Sequence, residues 1–465
     1  MFKTFINVFR VPELRNKVLF TLLMLAIFRI GHAIPIPGLD QDQMQEIAKK
    51  QQENQDSAGA RLAAYVSLFS GGNLSHGTLF GLGVAPYITA SIIFQLLTTV
   101  VPSLEKLSKE GETGRRKIQE WTRYACVPIA AMQAAFWLRA LGSDSIQSTW
   151  NGPVFWVTGI VALTAGCIFL MWIGEQIDEY GLGQGISLII MAGIVCRMPD
   201  AIRELWATTS FSGIADATRP VGPGRLIVLI ALFIFVVATA ILITQAQRRI
   251  PIMQAKHTRG RRVYGGQKQY LPLKVNIGGV MPVIFASSLM LFPGLLLGYL
   301  QSVMASQNMS NWFSKTINFL NGEFGHGRFL YVVTEMAMIY FFAFFWTTVQ
   351  FKPKEIANNL RDYGSFIPGL RPGKRTADYL EKVMMRMTYV GAGFLCLIAV
   401  VPTIAMTQLK INPNIAQFLG GTGLLIVVSV VLDMVQRIET NLLTRNYAGF
   451  LGAGEGGKRI KGRAN

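Results

Sequence analysis

Residues 61–100 read RLAAYVSLFSGGNLSHGTLFGLGVAPYITASIIFQLLTTV, and the change of character halfway along decides the fold. From residue 78 onward the run is apolar and long enough to cross a ~30 Å hydrocarbon core as a helix, which takes about 20 residues. The part before it is not. Roughly ten apolar residues after Arg61 are ended by Ser70, Gly71, Gly72 and Asn73. So short a piece beside a full span either lies at the membrane surface or folds back into a cavity walled by protein. The second fate requires a membrane protein with an interior.

Composition agrees with lipid as the solvent. Of 465 residues, 51% are hydrophobic and 15% charged, against about a quarter charged in soluble domains. Ten candidate spans recur, at 18–36, 78–100, 121–141, 153–174, 183–199, 224–244, 276–298, 329–349, 385–405 and 415–435. The fifth, GQGISLIIMAGIVCRMP, is short and carries three glycines, so it needs little tilt or burial among other helices. Before the first span, Phe2, Phe5, Ile6 and Phe9 fall at helical spacing, with Lys3 and Arg10 beside them. That pattern predicts an interfacial helix over 1–17, not a cleaved signal. Five spans (18–200) followed by five (201–435) is the arrangement of an inverted repeat, without identity visible between the two halves. A basic tail, 436–465, ends the chain.

Charge orients the spans. The net charge is +18, so anionic lipid, RNA and acidic proteins are the candidate partners. The stretch 248–274 holds Arg248, Arg249, Lys256, Arg259, Arg261, Arg262, Lys268 and Lys274 with no acid among them. That connection, within 245–275, and the one at 350–384 fall on the side of the N-terminus, so the positive-inside rule makes both termini cytosolic. The acidic connection EQIDEYGLG disagrees. Cys126, Cys167, Cys196 and Cys396 are widely separated in apolar sequence and read as packing residues. The four histidines are dispersed without metal-ligand spacing. GAGEGGKR, from Gly452, misses the nucleotide-binding loop because Arg459 replaces its hydroxyl residue and no helix follows. No cofactor, metal or catalytic constellation is expected.

Seven stretches in order, FRIGHAIPIPGLD, LFSGGNLSHGTLFGLGVAPYITASIIFQLL, KEGETGRRKIQEWTRY, GLGQGISLIIMAGIV, LPLKVNIGGVMPVIFASSLMLFP, FIPGLRPGKRTADYL and FLGGTGLLIVVSVVLD, together resemble the SecY family of protein-conducting channels, bacterial type. The resemblance implies an all-α polytopic membrane protein with ten transmembrane helices in two pseudo-symmetric halves around a central hourglass pore. It implies a pore ring of Ile88, Ile92, Ile186, Ile190, Ile284 and Ile426. It implies a plug over about 61–77 that includes Leu68, Phe69, Ser70, Gly71, Gly72 and Asn73. A sideways opening is implied between spans two and three and spans seven and eight, with Gln95, Ser287 and Ser288 as seam polar groups. Docking of cytosolic partners is implied for Arg261, Arg262 and Arg371. The implied partners are SecE and SecG subunits, the SecA ATPase, the ribosome, signal peptides and nascent chains, anionic lipids, and YidC and SecDF, at a bacterial plasma membrane. The Gln-rich stretch 40–60 and the long outer loop 305–328 depart from the pattern at loop level.

Other readings stay open for single residues. Isoleucine is ordinary in membrane helices, a short apolar segment can lie at the interface, a serine can bond its own helix, and a basic loop can serve topology alone. A secondary transporter can also have ten spans in inverted repeats, but needs ionisable residues near the midplane. Arg29, His32, Glu175, Glu335 and Asp433 are its candidates.

Overall fold

The protein is described by a computed structural model over residues 12–40, 77–141, 152–209, 222–254, 257–259, 262–264, 268–306, 312–324, 328–409 and 422–452. The interfacial stretch 1–11, the plug residues 68–73, Arg261 and the tail beyond 452 lie outside the described residues.

A helix occupies each expected span: α1 (Pro12–Gly31), α2 (Ala85–Val100), α4 (Glu112–Leu141), α5 (Pro153–Tyr180), α6 (Gly185–Thr208), α7 (Pro223–Gln245), α8 (Met281–Ser306), α10 (Phe329–Gln350), α12 (Lys374–Leu409) and α13 (Thr422–Gly452). Shorter helices α3 (Pro102–Lys109), α9 (Trp312–Glu323) and α11 (Pro353–Asp362) connect them. Among the described residues five helices are long and apolar enough to cross on their own, and the apolar α2 turns by 99° into the polar α3. Helices α1, α4 and α13 carry charged residues in their turns, as α4 does with Arg115, Arg116 and Lys117.

Two expectations need correction. Residues 12–17 are not a separate interfacial piece, because α1 begins at Pro12 and runs straight into the first span. The second span does not begin as helix at 78: residues 77–84 are irregular and Thr78, Phe80, Leu82 and Val84 are buried. Irregular backbone at such a position needs protein around it. Part of its pairing comes from Ile34–Ile36, with Leu79 N–H donating to Ile34 O at 2.9 Å and Ile36 N–H to Gly77 O at 2.8 Å.

The helical architecture carries one β addition that the all-α expectation leaves out. The basic connection is a β-ribbon, with β1 (Gln247–Gln254) antiparallel to β4 (Lys268–Lys274) and β5 (Ser365–Phe366) completing the order β4-β1-β5. A small hairpin of β2 (His257–Arg259) and β3 (Arg262–Tyr264) lies between β1 and β4 in sequence. Alternation inside the charged run explains the ribbon: Ile250, Ile252 and Leu273 are buried while their neighbours Arg249 and Lys274 face water. Ile250 and Leu273 pack with Ile367, Leu380, Val383, Met384 and Met387, which seats the ribbon on the first turns of α12.

The two halves repeat. In the first, α2 packs on α4, α4 on α5, α5 on α6, and α1 on both α5 and α6; in the second, α8 packs on α10, α10 on α12, α12 on α13, and α7 on both α12 and α13. These are the same neighbours, span for span. An odd number of spans per half turns the second half over in the membrane. The principal packing between halves is α6 against α13.

Candidate functional site: the central cavity

A cavity of 470 Å³ opens between the halves. Its polar wall includes Gln95, Ser187, Thr244, Asn276, Gln350 and Ser429, and Ile190, Ile284 and Ile426 contribute apolar lining. Thr244 Oγ1 and Ser429 Oγ lie 3.5 Å apart across α7 and α13. The polar wall suits water; the isoleucines do not.

Five of the six expected ring residues, Ile88, Ile92, Ile190, Ile284 and Ile426, are buried in one continuous apolar cluster, with Ile186 packed against it. Ile88 and Ile92 sit one turn apart on the buried face of α2, while Ile93 and Leu97 are exposed on its other side. Ile186 occupies a notch on α5, its Cδ1 2.6 Å from where a Cβ on Gly174 would lie. Narrow apolar constrictions shed water, and they offer a passing chain no hydrogen bond that would hold it.

What aims α2 and α8 is a motif that the sequence carries twice. Gly83-Val84-Ala85-Pro86-Tyr87-Ile88-Thr89-Ala90-Ser91 and Gly279-Val280-Met281-Pro282-Val283-Ile284-Phe285-Ala286-Ser287 share Gly, Val, Pro, Ile, Ala and Ser in register. The two glycines take φ of +57° and +58° two residues before their helices begin, a conformation that costs glycine little. The first turns then close alike, Ile88 N–H on Val84 O at 3.0 Å and Ile284 N–H on Val280 O at 3.2 Å. Ile88 and Ile284 are therefore equivalent positions of a repeat. This identity between the halves was readable from the sequence, but it is shorter than a span and hidden by apolar surroundings.

The remaining site residues are placed as follows. Ser287 and Ser288 both donate to Ile284 O, at 3.0 and 2.7 Å, and Gln95 Nε2 donates to Ser91 Oγ at 3.2 Å. All three thus bond within their own helices, and the buried Gln95 Oε1 has no hydrogen-bond partner among the described residues. Arg371 is exposed, and its carbonyl accepts from Thr376 Oγ1 at 3.0 Å, which braces the turn between Gly369 and Gly373. Arg262 lies on β3. His32, a coupling-ion candidate, has Nδ1 2.9 Å from Phe28 O and packs between the Phe28 and Phe80 rings. Glu335 is buried on α10 but does not line the cavity.

Ten helices over the ten expected spans, in two repeated halves enclosing a polar cavity that meets clustered aliphatic side chains, define a polytopic membrane protein of the channel class. The particular family follows from comparison. A profile described as SecY matches residues 78–435, and the chain belongs to the SecY family. It is 40% identical to the protein translocase subunit SecY of Thermotoga maritima and 41% identical to that of Thermus thermophilus, over 100% of both chains in each case. The SecY subunit of Rickettsia felis is 38% identical over 94% of this chain and 96% of its own. Among solved structures, a protein-conducting channel aligns with a TM-score of 0.59 at 18% identity, covering 93% of this chain and 94% of that one. Sec61 in the canine ribosome-channel complex aligns at 0.56 and 17% identity, with 93% and 94% covered. At such identities these structures show the shared fold.

Proposed function

We propose that this chain is the central subunit of a polypeptide-conducting channel, which passes unfolded secretory chains across the membrane and releases transmembrane helices sideways into lipid. The observation that carries the proposal is the convergence of Ile190, Ile284 and Ile426 on a polar cavity, with Ile88 and Ile92 in the same apolar cluster. An unfolded chain has unpaired backbone groups that cost several kcal/mol each in hydrocarbon, so it needs water up to a short apolar waist. A helix with ~15 Leu-like residues, at about −0.3 to −0.6 kcal/mol each, then gains roughly 5 to 9 kcal/mol by leaving sideways for lipid. The stretch 61–77, with Leu68 to Asn73, is the plug of this reading, and Gln95, Ser287 and Ser288 flank the seam. No bond is broken or made in the substrate, and partners supply the driving force.

The cavity mouth and the ribbon face the cytosol, as do both termini, in the plasma membrane of a bacterium. Arg261, Arg262 and Arg371 are the cations for docking the SecA ATPase or the ribosome, through bidentate pairing with carboxylate or phosphate. SecE-like and SecG-like subunits complete the heterotrimer, anionic lipids surround it, and YidC and SecDF are accessory partners. The curated bacterial relatives are named translocase subunits, and one structural neighbour is a channel bound to a ribosome, which supports this assignment.

The test is ion leak. With Ile88, Ile92 and Ile190 replaced by glycine and the protein reconstituted in liposomes, basal ion flux should rise well above that of the unsubstituted protein. Unchanged flux with an intact fold would remove the waist assignment.

A further inference from the structure

We infer that Trp346 of α10 is a positioning residue that couples the cytosolic ribbon to the pore segment of α8; the inference rests on the channel reading. β4 ends at Lys274, and a turn of six residues, 275–280, separates it from α8. That turn is tied at both ends. Val275 N–H donates to Ala246 O at 2.9 Å, holding it to the ribbon's other leg, and Asn276 Nδ2 donates to Gly279 O at 2.7 Å across the turn itself.

Trp346 grips the turn from the side. It is 7% exposed, and its indole lies so close to Gly278 that a Cβ there would come within 2.8 Å of Cδ1. With the Gln350 amide oriented to satisfy both neighbours, Trp346 Nε1–H donates to its oxygen at 2.7 Å and its nitrogen donates to Ile277 O at 3.1 Å. On the next turn of chain the Phe285 ring meets Trp346 edge-on, at 5.4 Å between centroids and 89°. One indole therefore touches the turn before α8 and the residue beside Ile284. A displacement of the ribbon must either carry the first turns of α8 with it or break these contacts. Ile284 is the ring residue that such a displacement would move.

The contact can be disturbed from both sides. Trp346→Phe removes the N–H and shrinks the ring, and Gly278→Ala forces the turn away from it. Thr388→Val is the control: it removes the buried Thr388–Thr347 hydrogen bond of 3.1 Å between α12 and α10 without touching the turn. In liposomes, each of the first two variants should raise basal ion flux roughly tenfold, the effect of losing about one hydrogen bond's worth of bias toward the closed state. Thr388→Val should lower thermal stability and leave flux alone. The double variant Trp346→Phe with Gly278→Ala should show less than the product of the two effects, because the smaller ring makes room for the methyl group. Flux like that of the unsubstituted protein in both single variants overturns the coupling, as does a rise in Thr388→Val that tracks lost stability. An Ile88→Gly variant separates this from the parent reading: leak there without leak in the Trp346 and Gly278 variants removes the coupling alone, while silence in all of them removes the channel.

Discussion

Asp178 and Gly185 show how single residues set the rotation of α6, a helix that lines the central cavity. The acidic connection EQIDEYGLG runs against the charge rule, yet Asp178 has a local structural use, since its Oδ1 accepts the Gly185 N–H at 2.7 Å, at the start of α6 where backbone donors lack helical partners. Gly185 must be glycine, since a Cβ would overlap the Gly174 carbonyl group of α5. The backbones of α5 and α6 touch there, which turns Ile190 to the cavity while Ile186 rests over Gly174. Gly185→Ala should therefore destabilise by about 1–3 kcal/mol, and Asp178→Ala by about 0.5–2 kcal/mol. Asp178→Asn, which keeps an acceptor oxygen, should recover most of the second loss. Thermal melting in detergent reads all three. The glycines of the fifth span were legible from sequence, but its shortness was not borne out, since α6 runs through Pro199 for 24 residues; its backbone contact was not legible either, because nothing in a linear chain says which glycine meets which. The cysteines teach the same lesson, for Cys126 and Cys167 lie far apart in sequence yet have Sγ atoms 3.9 Å apart across α4 and α5.

At the level of elements, the bend between α2 and α3 falls at the end of the second apolar run. Val101, extended at φ −95° and ψ 113° before Pro102, breaks the helix because a residue preceding proline avoids the helical region. Beyond the bend, α3 leaves the membrane and carries Glu105 and Lys109 one turn apart, 2.5 Å between charged atoms. The Lys109 ammonium holds the Glu105 carboxyl below its ordinary value of 4.5, mainly by hydrogen bonding, and is itself raised above 10.5 by the same bond. Glu105 then contributes above pH 4.5, and its contribution is lost as pH falls through its lowered pKa; the contribution of Lys109 is present below pH 10.5 and lost above its raised value. Normalised hydrogen exchange over 103–109 should thus be flat near neutral pH and faster in acid below the ordinary carboxylate range. Lys109→Gln should abolish that acid step, and a step that survives the substitution would assign it to another group. The ribbon is hard to see in the sequence because eight cations in 248–274 dominate the stretch, while strand alternation at Ile250, Ile252 and Leu273 runs beneath them.

Across the whole molecule, the repeat gives α2 and α8 equivalent entry turns. The glycine turn before α2 is fed by the segment paired with Ile34–Ile36, and the glycine turn before α8 is fed by the ribbon. With five spans between the equivalent positions, the turns are expected on opposite faces of the membrane; in the proposed channel one would face the plug side and the other the partner side. The positions of the long helices were legible because a hydrophobic run of ~20 residues announces itself; the clustering of Ile88, Ile92, Ile190, Ile284 and Ile426 was not, because they come from four helices scattered through the sequence. Sidedness is the property on which the architecture stands, and it can be measured. With Cys126, Cys167, Cys196 and Cys396 replaced by alanine, single cysteines go in at Glu110, Gly152, Arg328 and Tyr363, all exposed positions between spans. Three spans precede Gly152 and seven precede Arg328, while two precede Glu110 and eight precede Tyr363. In sealed right-side-out vesicles a membrane-impermeant maleimide should label Gly152→Cys and Arg328→Cys, and leave Glu110→Cys and Tyr363→Cys unlabelled until detergent is added. Labelling of Gly152→Cys together with Tyr363→Cys would mean an even number of crossings between them, and the turned-over second half would have to be abandoned.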